Sequence, residues 1–217
     1  MKNGKYLVVE GPVGVGKTFL AGRLANRLEG RAILEETSEN PFLPLFYIDR
    51  EKYGFQAQVS FLLARYAKQS VLSQQDLFSR YLISDFLFGK GMIFARISLG
   101  SVELSLYERL SAELVTSAPA PDLVIYLQAS TGVLLDRINR FGRKFEKDMN
   151  RNWLEELVDS YNRWFLRDIK LPVLAVNTDH TDFRRDEKAF EGLVKAALNH
   201  SGGLQGYNPS SSRGLSI

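Results

Sequence analysis

Gly11-Pro12-Val13-Gly14-Val15-Gly16-Lys17-Thr18 is the stretch on which the reading of this chain turns. It follows the apolar run Tyr6-Leu7-Val8-Val9-Glu10 and precedes Phe19 to Leu28, where apolar residues recur at helical spacing. A Gly-x-x-x-x-Gly-Lys-Thr loop between a strand and a helix has the context that the phosphate-loop motif demands. Glycine lets the backbone curl until successive N–H groups point at one anion, and the N-terminus of the following helix adds its partial positive charge. The pattern predicts a cradle for a triphosphate, with Lys17 reaching the β- and γ-phosphates and the Thr18 hydroxyl serving as a ligand of Mg²⁺. The alternative is a Gly-rich turn that merely joins strand to helix. All four fixed positions and both flanks agree with the cradle.

The chain of 217 residues fits one α/β domain with a substantial core. No apolar run approaches the roughly 18 residues of a membrane span. Met1 to Lys5 leads directly into the first strand rather than into a signal sequence, so a cytoplasmic enzyme is expected. Cysteine is absent and the histidines are His180 and His200, which excludes thiolate chemistry and argues against a zinc centre. A net charge of +3, without a basic stripe interleaved with aromatics, argues against nucleic acid as a partner.

Short apolar stretches near 5–10, 32–36, 80–84, 122–127 and 172–176 alternate with helical patterning. This predicts a five-stranded parallel sheet in a three-layer α/β sandwich, with ligands gathered outside the carboxyl ends of the strands. Functional candidates follow each strand. After the second come Glu35 and Glu36, and a carboxylate at that tip can accept a proton from an attacking hydroxyl. Adjacent strand residues point opposite ways, so only one of the two can face the site. On the helix expected over Tyr53 to Leu72, Gln58 and Arg65 lie seven residues apart on one face, among apolar groups that suit a flat ligand with a polar edge. A polar stripe facing water is the alternative. Asp85 ends the third strand, where an acidic group can help hold Mg²⁺ opposite Thr18 or else cap the next helix. The basic segment Arg137 to Lys147 reads as a mobile cationic lid over the transferring phosphate, against the plainer reading of a solvated helix end. Asn150 to Asp168 is a helix whose aromatic stripe suits core or a dimer contact. The last strand leads into the loop Thr178 to Asp182 and a final helix, Phe183 to Asn199. Residues 1–200 form the expected domain, and the Gly/Ser-rich residues 201–217 a flexible tail.

With these pieces placed, the chain resembles the deoxynucleoside kinase family from about Lys5 to the final helix. The likeness rests on Gly11 to Thr18, Glu35, Asn40-Pro41-Phe42 with Phe46-Tyr47-x-Asp49, Phe55-x-x-Gln58…Arg65, Ile93-Phe94-Ala95, and Arg137-Ile138…Gly142-Arg143…Glu146. The resemblance implies a phosphate-loop kinase fold with a helical Arg-rich lid, ATP as donor with Mg²⁺, and a deoxynucleoside as acceptor, purine favoured. It implies that Glu35 is the general base and that Gln58 pairs with the base edge, with Arg65 nearby. It places Tyr47 and Glu146 at the sugar 3′-hydroxyl, and gives Arg137 and Arg143 to the donor and the moving phosphoryl group. The loop holding Asp182 would pass the donor adenine. A homodimer is implied, with 101–114 and 150–168 as candidate contacts. The sequence departs from the family where Phe86, not Arg, follows the acid at Asp85, and where Phe141 stands at a lid position often held by Arg. Lys90 is the candidate for the missing charge. A nucleoside monophosphate kinase and a non-catalytic nucleotide-binding module are the competing readings.

Overall fold

The computed structural model describes residues 4–73, 80–114 and 119–209. Its sheet contains β1 (Lys5–Glu10), β2 (Arg31–Ile33), β3 (Tyr81–Ser84), β4 (Leu123–Gln128), β5 (Val173–Asn177) and β6 (Leu204–Tyr207), in the order β2-β3-β1-β4-β5-β6. All five pairings are parallel. β1 and β4 sit in the middle and are buried along nearly their whole length, as a sheet covered on both faces requires. Leu7, Val8, Val9, Ile125 and Leu127 form the centre of the core.

Among the described residues the sheet has six strands rather than the five expected, and β6 comes from the stretch read as flexible tail. Gly202 and Gly203 take left-handed φ values of 109° and 67°, turning the chain so that Val173 N–H donates to Gly203 C=O at 2.8 Å and β6 pairs along β5. Glycine enrichment signals freedom in solution and a sharp turn equally well, and here it makes the turn. Residues 210–217 of the expected tail lie outside the described residues.

The helices are α1 (Lys17–Arg27), α2 (Leu43–Ile48), α3 (Arg50–Ser73), α4 (Lys90–Ser98), α5 (Ser101–Leu114), α6 (Thr131–Phe141), α7 (Arg151–Arg163) and α8 (Glu187–Leu198). Asn150 caps α7 by accepting from Trp153 N–H, and Asp186 caps α8 by accepting from Ala189 N–H. The aromatic stripe of α7, continued by a π turn over Trp164–Asp168, is core: Tyr161, Phe165 and Tyr126 stack, the last two with centroids 4.6 Å apart. α8 lies beside α1, where Arg27 pairs with Glu191 at 2.6 Å and the Arg23 guanidinium sits 3.9 Å over the Phe190 ring. Among the described residues no helix is long and apolar enough to cross a membrane.

The phosphate loop is shaped by its glycines and by α6. Gly14 and Gly16 have φ of 82° and 100°, a region costly for side-chain-bearing residues. A Cβ on Gly14 would also stand 2.6 Å from Ile138 Cγ1, because α6 packs directly on the loop. Gly14→Ala should therefore lower stability by about 1–3 kcal/mol in urea unfolding. Gly22→Ala, in the interior of α1 with open space where the methyl would go, should raise it by about 0.4–1 kcal/mol.

Candidate active site

At the carboxyl ends of the strands lies a cavity of about 460 Å³. It is lined by Val13, Gly14, Val15, Gly16, Lys17, Thr18, Glu35, Tyr47, Gln58, Arg65, Asp85, Lys90, Arg137, Arg143, Glu146 and Asp182. Gly11 and Pro12 lie just behind it, and their carbonyls accept from Lys17 Nζ at 2.8 and 3.1 Å. Burial, and next the nearby Lys90 ammonium, draw Lys17 below its ordinary pKa. An anion in the loop would reverse that push.

β2 ends at Ile33, so Glu35 and Glu36 stand in the connection that follows rather than in the strand. Only Glu35 turns inward. Its side chain is 12% exposed, against 56% for Glu36, which pairs with Lys68. Arg65 Nε donates to Glu35 Oε1 at 2.7 Å and Lys90 Nζ to Oε2 at 2.8 Å. Burial alone would raise the carboxyl pKa, but the charges and hydrogen bonds of Arg65 and Lys90 outweigh it and bring the value to about 2. Asp85 ties this group to the phosphate loop: its Oδ1 accepts from Glu35 N–H at 2.7 Å and its Oδ2 from the Thr18 hydroxyl. Asp85 and Thr18 thus present hard oxygen donors beside the cradle, the donor chemistry that suits Mg²⁺ rather than zinc.

Another part of the cavity wall is aromatic. Phe61, Phe94 and Tyr161 line it with Gln58, and Phe94 meets Tyr161 edge to face at 6.2 Å. Gln58 is buried, and among the described residues neither Arg65 Nη1 nor the Tyr161 hydroxyl has a hydrogen-bond partner. Buried donors left open in a cavity suit a ligand with acceptors on its edge. Tyr47 rests against Phe46 and Phe145. Its phenol is held protonated by burial and by the charge of Glu146.

The lid is tied down on both sides. Arg137 donates to Thr178 Oγ1 at 3.0 Å, Thr178 C=O at 2.5 Å and Thr181 C=O at 3.2 Å, fixing α6 to the loop after β5. Arg143 donates from Nη1 to Glu146 Oε1 at 3.0 Å and from Nη2 to Thr37 Oγ1. Asp182 accepts from Arg184 Nε at 2.9 Å, and the Arg184 guanidinium lies 3.7 Å over the Phe141 ring.

All the candidate site residues except Gly11 and Pro12 thus share one cavity wall. Sequence reasoning missed Glu10, a fully buried carboxylate whose oxygens accept from Gly11 and Leu87 N–H at 3.0 and 2.8 Å. An acid closing an otherwise apolar strand was the available signal. It also missed Tyr161, Thr37 and Arg184, whose places at the cavity depend on distant segments meeting.

Because Glu35 is more acidic folded than unfolded, its ion pairs stabilise fully above the ordinary carboxylate pKa, and that contribution drains away as pH falls towards about 2. The stability advantage of the wild type over Glu35→Gln, measured by chemical denaturation, should therefore be constant near neutrality and shrink steadily below about pH 4.5.

Comparison with known proteins agrees with this fold. The profile of the deoxynucleoside kinase family matches residues 7–200. A deoxyguanosine kinase of Bacillus subtilis is 33% identical over 199 residues, covering 89% of this chain and 96% of its own. The deoxyadenosine/deoxycytidine kinase of the same organism is 31% identical, covering 87% and 89%. A structure of deoxyadenosine kinase from M. mycoides with bound dATP superposes with a TM-score of 0.77 at 23% identity, over 89% of this chain and 99% of that one, and shows the same fold. With phosphate loop, inward carboxylate and aromatic pocket on one cavity, and with a profile match across nearly all of the described residues, the chain belongs to the deoxynucleoside kinase family.

Proposed function

We propose that this kinase transfers the γ-phosphoryl group of ATP to the 5′-hydroxyl of a purine 2′-deoxyribonucleoside, as a cytoplasmic salvage enzyme. The observation that carries this reading is Glu35, an inward carboxylate on the cavity that the phosphate loop and the aromatic residues share, tied through Asp85 to Thr18 and paired with Arg65. The base would stack on Phe94 with its edge on Gln58 and the open Nη1 of Arg65, and the 3′-hydroxyl would lie between Tyr47 and Glu146. The 5′-hydroxyl then meets Glu35. A carboxylate this acidic is a weak base, but a loose phosphoryl-transfer transition state needs the nucleophile aimed more than it needs early proton removal. Glu35 aims it and takes the proton as the new O–P bond forms. Lys17 and the amides of Gly14 and Gly16 hold the β- and γ-phosphates, while Arg143 supplies positive charge as the γ-phosphate transfers. Thr18 and Asp85 would hold Mg²⁺, which neutralises phosphate charge when bound.

The kinase would work as a homodimer. On α5, Val102 is 83% and Leu106 45% exposed, and on α3 Leu63 and Tyr66 are about half exposed. α3 and α5 pack side by side, so these residues form an outward apolar surface. Val102 and Leu106 of α5 face outward, whereas Tyr107 is the buried residue there. Light scattering should give twice the chain mass, and Leu106→Glu should return it to one.

The activity is tested by ADP release with deoxyadenosine, deoxyguanosine, deoxycytidine, thymidine and their 5′-monophosphates. Turnover should require a free deoxynucleoside, fastest with a purine, and turnover with monophosphates alone would refute the reading. Glu35→Gln should lower kcat by roughly 100-fold or more with KM for ATP little changed.

A further inference from the structure

Lys90 occupies a position that ordinary helix physics disfavours. It is the first residue of α4, where the positive end of the helix dipole repels a cation, and it is 3% exposed. No backbone carbonyl accepts its charge among the described residues. Two carboxylates do: Glu35 Oε2 at 2.8 Å and Glu10 Oε1 at 3.5 Å. Glu10 in turn accepts the N–H of Gly11, the residue that begins the phosphate loop, and the N–H of Leu87 beyond β3. A buried cation facing the wrong end of a helix costs stability, so its presence needs a compensating arrangement, and this pair of carboxylates is it.

We propose that Lys90 is a positioning residue for phosphoryl transfer: it locks Glu35 onto the same buried carboxylate that holds the start of the phosphate loop, so that acceptor and donor are fixed relative to one another. The inference rests on Glu35 as the proposed general base. It gives Lys90, the candidate for the charge missing after Asp85, a task other than direct contact with the transferred phosphate or the base. Arg65 holds Glu35 Oε1 and Lys90 holds Oε2, so the carboxylate plane is fixed at both oxygens, and each oxygen keeps a lone pair for the 5′-hydroxyl. Without Lys90, Glu35 can swing about its Arg65 contact. A displacement of about 1 Å is enough to lower turnover by roughly 100-fold.

A kinetic double-mutant cycle tests this with the full-length protein. Lys90→Met should lower kcat by roughly 10- to 100-fold while KM for ATP and for the deoxynucleoside stays within about threefold. In a Glu35→Gln background the same change should cost less than about threefold, because Lys90 acts through Glu35. Lys90→Arg, which keeps the charge, should recover most of kcat. Multiplicative losses in the double variant, or a rise in KM for ATP, would overturn the proposal in favour of a phosphate contact. A rise in KM for the nucleoside alone would overturn it in favour of base recognition. If Lys90→Met does not fold because Glu10 is stranded, the cycle is run in Glu10→Gln, which removes the unpaired buried charge. Undiminished turnover in Glu35→Gln by itself would remove the general-base reading and this inference with it; a normal Glu35→Gln loss with additive Lys90→Met would remove this inference alone.

Discussion

Four charges removed from water, Glu10, Glu35, Arg65 and Lys90, set the terms for the rest of this structure. Each sits on a different segment: the end of β1, the connection after β2, the middle of α3 and the start of α4. An unpaired charge at such depth would cost several kcal/mol, so the four segments cannot move independently. The cluster thereby fixes the distance between the phosphate loop, which begins at Gly11, and the pocket floor, which includes Arg65.

The arrangement is better explained by geometry than by stability. Replacing a buried ion network with apolar groups of equal volume is often neutral or stabilising, so the network is a poor device for holding a fold together. It is a good device for holding a carboxylate in one orientation, since Glu35 is gripped at both oxygens and at its backbone N–H by Asp85. The phosphate loop is fixed in the same way. Glu10 holds its first amide, α6 presses on Gly14, and Lys17 folds back on the carbonyls of Gly11 and Pro12.

The two departures from the family pattern find physical explanations in the packing. Phe86 is fully buried against Phe88, so an arginine there would need its own counter-charge; the buried cation of this region is instead Lys90 on the next helix, paired with Glu35 and Glu10. Phe141 gives the lid an aromatic face on which Arg184 lies, so a guanidinium still stands at that part of the lid, delivered from the loop after β5.

Sequence alone determined what is local. The phosphate loop, its flanking strand and helix, the parallel alternation and an acid at the tip of β3 each follow from patterns within a few residues, because hydrogen-bonding geometry and side-chain period act over that range, whereas the choice of Glu35 over Glu36 and the roles of Gln58 and Glu146 came from the resemblance to the family. Tertiary structure decided what depends on meeting partners. Gly202-Gly203 became a turn that adds β6 to the sheet, because the edge of β5 was available to pair with it. Lys90 turned from a free charge into the tie between Glu10 and Glu35, since a buried ammonium takes its role from whichever carboxylates the fold brings to it, and no spacing along the chain records that encounter.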